Sequence, residues 1–194
     1  MSKTSYVLLG SLLLISGAAM ATEEPSYTVL AQAAEFELRH YDRQIVAQTW
    51  VTGDQNAASR EGFKVLAGYI FGNNTAPSGG SSKIAMTAPV SMQQADGQWR
   101  VQFTMPSQYT MATLPKPNNP NITIKEIPAQ TYGVIKFSGL AGSKKVAEKT
   151  EKLQSWMESQ KLTTTGDPEL ARYNPPWTLP FMRRNEVMIA YQQK

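Results

Sequence analysis

No cysteine occurs anywhere in the 194 residues. That excludes a disulfide framework, a thiolate metal site, a cysteine nucleophile and a lipid-bearing cysteine, and it leaves packing to hold the fold. Histidine is almost as scarce, with His40 alone. A single imidazole rules out H-E-x-x-H sites, paired-histidine metal centres and acid/base machinery built on two histidines. A serine triad would have to use His40 itself, and no G-x-S-x-G elbow accompanies it. Long basic runs are also missing. Despite a pI near 9.2, nothing exceeds the pairs Lys144-Lys145 and Arg183-Arg184, which suits a solvated surface and not nucleic acid. The carboxylate pairs Glu23-Glu24, Glu35-Glu37 and Glu148-Glu151 fall at a new N-terminus, an exposed strand face and a helix surface, where solvation accounts for them.

No apolar run reaches the ~20 residues needed to span a bilayer. The longest, Tyr6 to Ile15, follows Lys3 and precedes "SGAAMA", in which Ala19 and Ala21 have the A-x-A spacing of a cleavage site. Residues 1–21 are therefore expected to be a secretory signal peptide, with Thr22 as the mature N-terminus. The mature chain, 22–194, is expected to be exported to the periplasm or beyond, with no stable membrane anchor. Loss of Lys3 lowers the formal charge from +4 by one. An apolar content of 41% is enough for one domain with a core.

The chain then presents one pattern twice. "EFELRHYDRQIVAQTWVTG" reads as two strands ending at Gly53, and "NITIKEIPAQTYGVIKFSG" as two strands ending at Gly139. An offset of 86 residues relates Tyr41 to Ile127 and Gly53 to Gly139. Each pair is followed by a helical stripe: Phe63, Leu66, Ala67 and Ile70 in the first, Val146, Thr150, Leu153 and Met157 in the second. Two further strands follow each helix. Lys83 to Gln93 and Gln98 to Met105 are joined by Asp96-Gly97, a hairpin signal, and Glu169 to Asn174 and Arg184 to Gln192 form the later pair. The predicted fold is α+β: a pseudo-twofold β-β-α-β-β repeat, halves 27–106 and 120–194, forming a distorted eight-stranded barrel with two flanking helices.

Within "KIAMTAPVSM", Ile84, Met86, Ala88, Val90 and Met92 share one strand face, but Pro89 cannot donate to a ladder. The segment is expected at an edge, a bulge or a bend beside an opening. "GGSSK" lacks the frame of a phosphate loop and precedes a strand, so it reads as a flexible loop. In "FELRHY", Phe36, Leu38 and His40 share one face and Glu37, Arg39 and Tyr41 the other. Two roles stand open for His40: a satisfied core or rim residue, or an axial ligand to a haem iron.

Three stretches in this order, "GFKVLAGYIFGNN", "KIAMTAPVSM" and "YNPPWTLPFMRRNEVMI", resemble the SOUL haem-binding protein family, and "YTVLAQAAEFELRHYDRQIVAQT" resembles its opening strands. The resemblance implies a pseudo-symmetric distorted barrel and binding of haem or another tetrapyrrole in an apolar groove. It implies a groove beside the first helix and the loop before the last strand, here Phe63, Leu66, Ala67 and Ile70 with Tyr173, Trp177, Leu179, Phe181 and Met182. His40 stands where one branch of the family has its proposed axial ligand. A porphyrin slot needs flat apolar contacts and cations for two propionates. Trp177 and Phe181 are candidates for the first, and Lys64, Arg183 and Arg184 for the second. The expected function is an exported tetrapyrrole binder that carries, buffers or scavenges its ligand. The rival is a binding domain for another amphipathic small molecule or for a protein partner. An enzyme is a third option, for which no catalytic residues are assigned, Thr87 and Met86 included.

Overall fold

The computed structural model describes residues 22–192, so the expected leader lies outside the described residues. Twelve strands and two helices follow in order: β1 (Tyr27–Ala33), β2 (Phe36–Tyr41), β3 (Gln44–Val51), α1 (Gln55–Ile70), β4 (Asn74–Thr75), β5 (Val90–Ala95), β6 (Gln98–Thr104), β7 (Lys116–Pro117), β8 (Thr123–Ile127), β9 (Gln130–Phe137), α2 (Ser143–Ser159), β10 (Thr163–Thr164), β11 (Glu169–Arg172) and β12 (Asn185–Gln192). The chain is thus α+β, as its periodicity predicts. Ten strands rather than eight build the main antiparallel sheet, in the order β1-β2-β9-β12-β11-β5-β6-β3-β8 with β10 beside β12. The path has two ends, β1 and β8, where a barrel was expected. Strands β4 and β7 pair separately.

Some register pairs are related by 86 residues. Tyr41 pairs with Gln130 across β2 and β9, and moving each by 86 toward the other half gives Ile127 with Gln44, a pair across β8 and β3. Val46 with Thr104 likewise becomes Tyr132 with Ala190. Strand β2, before Gly53, pairs with β9, and β8, after Asn119, pairs with β3. The order from β2 to β8 is unchanged when the halves are exchanged. At the point of exchange, Met92 of β5 faces Leu170 of β11.

Both helices cover one face of the sheet, where alternate positions of β6 and β12 are apolar. Leu66, Tyr69 and Ile70 of α1 join Val101, Phe103 and Met105, and Leu153 and Met157 of α2 join Ile135, Val187 and Ile189, in one buried cluster. Gly62 lets α1 approach β6, because a Cβ there would stand 2.5 Å from Val101 Cγ2. Asp54 caps α1 by accepting hydrogen bonds from the Asn56 and Ala57 amides, whereas Gly142 offers α2 no side-chain cap.

The proline-containing segment departs from expectation. Its strand begins only at Val90, immediately after Pro89, whose bond to Ala88 is cis. Ile84, Ala88 and Met92 are buried but Met86 is exposed, so the continuous apolar face is broken. A proline has no ladder donor, and pairing starts where one becomes available. Thr87 instead bridges Glu23, and the Ala88 amide donates to the Glu23 carbonyl.

Candidate functional site

The four residues of the α1 stripe divide between two environments. Leu66 and Ile70 are 2% and 5% exposed and belong to the core, so they hold the helix to β3 and β6 and line no groove. Ala67 is half-buried, while Phe63 and Lys64 on the outer turns are exposed.

The loop between β11 and β12 carries the remaining apolar candidates outward. Trp177 is 82% and Phe181 72% exposed, with Leu179 and Met182 also exposed. Four large apolar side chains in solvent would be costly on a floppy segment, but this one is tied from within. Arg183 donates through Nε to the Thr178 carbonyl at 2.8 Å and through Nη2 to that of Pro176. The Arg184 amide donates to Asn174 Oδ1 at 2.6 Å, and Pro180–Met182 forms a single 3-10 turn. The Gly139 amide donates to the Pro180 carbonyl at 2.9 Å, which fastens the loop to the end of β9.

Sequence reasoning missed Arg172, at the end of β11. Its Nη1 donates to Ser59 Oγ on α1 and its Nη2 to the Ala141 carbonyl at 3.1 Å. Neither Arg172 nor Arg183 has a carboxylate partner among the described residues. Burial, and then the charge of Arg183, pull the Arg172 pKa below the ordinary arginine value. Phe63 lies one helical turn beyond Ser59, so Arg172 joins the outer face of α1 to the base of the loop. Ser59 is 113 residues away in sequence, and no local spacing could have revealed the contact.

His40 stands elsewhere. It pairs with Thr131 of β9, whose hydroxyl donates to the Tyr191 carbonyl, whereas the loop joins β12 at Asn185. Six residues of strand, about 20 Å at ~3.3 Å per residue, separate the two levels. His40 shares the helix-covered face with Phe36 and Leu38, and Phe36 stacks on Trp156 of α2 at 4.8 Å. One macrocycle held against the loop is therefore out of reach of His40.

The opposite face of the sheet holds a charged network. Glu37 is buried, contrary to its reading as a solvated carboxylate, because β2 lies between β1 and β9 and turns Glu37, Arg39 and Tyr41 inward. Arg39 reaches Glu37 at 2.7 Å and both oxygens of Glu186 at 2.8 and 2.9 Å, and Lys136 completes the ion pair with Glu37. Tyr173 donates to Glu186 at 2.7 Å, so it belongs to this network and not to an apolar wall. Burial alone would raise the Glu186 pKa; the hydrogen bonds from Arg39 and Tyr173 and the neighbouring cations outweigh it and hold the carboxyl below its usual range. Arg184 is likewise committed, to Glu186 at 2.9 Å and Glu24 at 3.0 Å, with its guanidinium 3.7 Å above the Tyr173 ring. It is not a free cation for a propionate. A cavity of about 50 Å³ among Tyr41, Tyr132, Tyr173, Pro89, Met188 and Glu169 suits water and no macrocycle. Among the described residues no histidine, aspartate and glutamate cluster could hold a metal ion.

A family model described as SOUL heme-binding protein matches residues 22–190. The chain belongs to this family. The SOUL chain has no match among the curated proteins compared with it. Its fold resembles the C-terminal domain of EcmrR, at 14% identity and a TM-score of 0.60, over 87% of this chain and 99% of that one. It also resembles an uncharacterized conserved protein from Listeria innocua at 11% identity and a TM-score of 0.60, and a hydrolase from the same organism at 11% and 0.57, each over 84% of this chain and 94% of the other. At such identities the likeness is one of fold. Tested against a haem, the SOUL chain supplies exposed aromatic faces at Trp177 and Phe181, Arg183 bonded within their loop and Arg172 at its base, both without acidic partners, and it supplies no histidine at that place.

Proposed function

We propose that the mature chain is an exported haem- or tetrapyrrole-binding protein that carries, buffers or scavenges its ligand. The reading rests on family membership and is carried by one observation: Trp177 and Phe181 are held in solvent at the place where Arg172 and Arg183 lack carboxylate partners. The macrocycle lies against the loop and the outer turn of α1 at Phe63, and the arginines face its propionates. Flat aromatic contact supplies the area and the guanidinium fork matches a carboxylate. A bound haem would supply a redox-active iron, and the protein would hold it by its faces and edge. The two halves act as copies of one unit, of which only the second carries the loop.

The test is titration of the mature protein with hemin and with metal-free protoporphyrin. Comparable affinity for both, lost in Trp177→Ala, supports the reading; no binding of either overturns it. Affinity for other amphipathic dyes at the same loop would favour the rival, a binder of another amphipathic molecule.

A further inference from the structure

The apolar loop is fastened beside a basic groove by the Gly139–Pro180 hydrogen bond. Leu140 is exposed, follows the glycine bonded to Pro180, and lines an open groove of about 1010 Å³ with Lys136, Lys144, Lys145 and Lys149. Glu35 and Glu148 are the acids of that groove. Lys149 pairs with Glu35 and Lys136 with Glu37, but Lys144 and Lys145 have no carboxylate partner among the described residues. Lys145, half-buried, donates to the Ser138 carbonyl at 2.9 Å with its ammonium 5.8 Å from the Phe137 ring centre, and Lys144 is exposed. The N-terminal amides of α2, without a side-chain cap or an acidic residue in the first turn, add positive potential at the same place.

A contiguous apolar patch on a soluble domain marks a contact surface. Its composition selects among occupants. Trp177, Leu179, Phe181 and Met182 project from a loop tied by its own hydrogen bonds, so they can enter an apolar layer without further ordering cost. Tryptophan and phenylalanine prefer the headgroup boundary, and cations set behind an apolar tip meet anionic headgroups as the tip enters. A second copy would bring like charge against Lys144 and Lys145, which disfavours self-association.

We infer that residues 177–182 and Leu140, backed by Lys144 and Lys145, form a docking surface for an anionic lipid bilayer. The surface shares its loop with the proposed tetrapyrrole site, and its test is made without that ligand, so either reading can fail alone. The ligand-free mature protein is mixed with vesicles of phosphatidylglycerol or of phosphatidylcholine and sedimented, with Trp177 fluorescence taken as the difference from Trp177→Phe. Binding to phosphatidylglycerol should exceed that to phosphatidylcholine at least tenfold, with a blue shift assigned to Trp177 and quenching by lipid-borne quenchers. Lys144→Glu/Lys145→Glu should lower it about tenfold or more, and Trp177→Ala/Phe181→Ala should abolish the insertion signal, both with unchanged circular dichroism. Equal binding to the two lipids, binding without Trp177 burial, or no binding to either overturns the inference. Concentration-dependent dimerisation that buries Trp177 would assign the face to a second copy and also overturn it.

Discussion

Arg39 and Glu186 lie 147 residues apart in the chain and meet, with no solvent exposure of either side chain, in a two-pronged ion pair at 2.8 and 2.9 Å. The pair ties β2 of the first half to β12 of the second across the intervening β9. Removing one partner leaves the other charge buried, at a cost of about 3–5 kcal/mol. Glu186→Gln is therefore expected to lower the urea midpoint sharply. Arg39→Met/Glu186→Leu should recover much of the loss, because it buries neither charge.

Acid should unfold the protein through the same network. Burial opposes ionisation of Glu37 and Glu186, yet the hydrogen bonds from Lys136 and Arg39 to the first, and from Arg39 and Tyr173 to the second, leave both pKa values lowered. Groups depressed on folding stabilise above their unfolded pKa, and that stability goes as pH falls through the folded value. Stability should be flat near neutrality and decline below about pH 5. In Glu37→Gln the slope of unfolding free energy against pH should be shallower; an unchanged slope would remove Glu37 from this account.

Two buried glycines should respond differently to a methyl group. At Gly62 a Cβ would meet Val101 Cγ2 and Cβ at 2.5 and 2.6 Å, and a valine on a strand has little freedom to move. Gly62→Ala is expected to cost about 1–3 kcal/mol. At Gly133 the Cβ would meet the sulfur and terminal methyl of Met157, which can swing aside. Gly133→Ala should cost clearly less, as read by thermal unfolding of both variants.

For hemin, His40→Ala is expected to leave the Soret position unchanged and the affinity within tenfold, about 1.4 kcal/mol. The level of His40 on the sheet, opposite Thr131, is the reason. Arg172→Gln should weaken hemin and protoporphyrin alike, and it should also lower the unfolding midpoint, since the bonds to Ser59 and Ala141 are lost with the guanidinium. A shifted Soret band in His40→Ala would return the histidine to the site.

Export predicts a mature chain beginning at Thr22. Intact mass of the secreted protein measures it. A soluble species retaining residues 1–21 would remove the export reading.

Strand alternation and the Asp96-Gly97 turn were legible because both signals are local. The turn does join β5 to β6, with Asp96 and Gly97 at φ 51° and 74°. An offset of 86 residues relates register pairs of the β2–β9 and β3–β8 ladders but not β5 to β11, where Met92 faces Leu170. The burial of Glu37 and Arg39 was not legible, because a polar alternation reads as solvated unless the charges that meet it are known. Those come from Lys136 and Glu186, far along the chain. The α1 stripe gave the core positions Leu66 and Ile70 but could not separate them from Phe63, since a helix period marks a face and not its depth. Arg172 had no signal at all, its partners being supplied by α1 and the start of α2.

The pairing of β2 with β9 sets a condition on synthesis. Strand β2 pairs with β1 on one side and β9 on the other, and β8 pairs with β3, so a nascent chain that stops before Gln130 has made two blocks of the sheet, β1-β2 and β5-β6-β3-β8, with none of the strands that join them. The blocks are joined only when β9, β12 and β11 emerge, through pairings of long sequence separation, which slow folding.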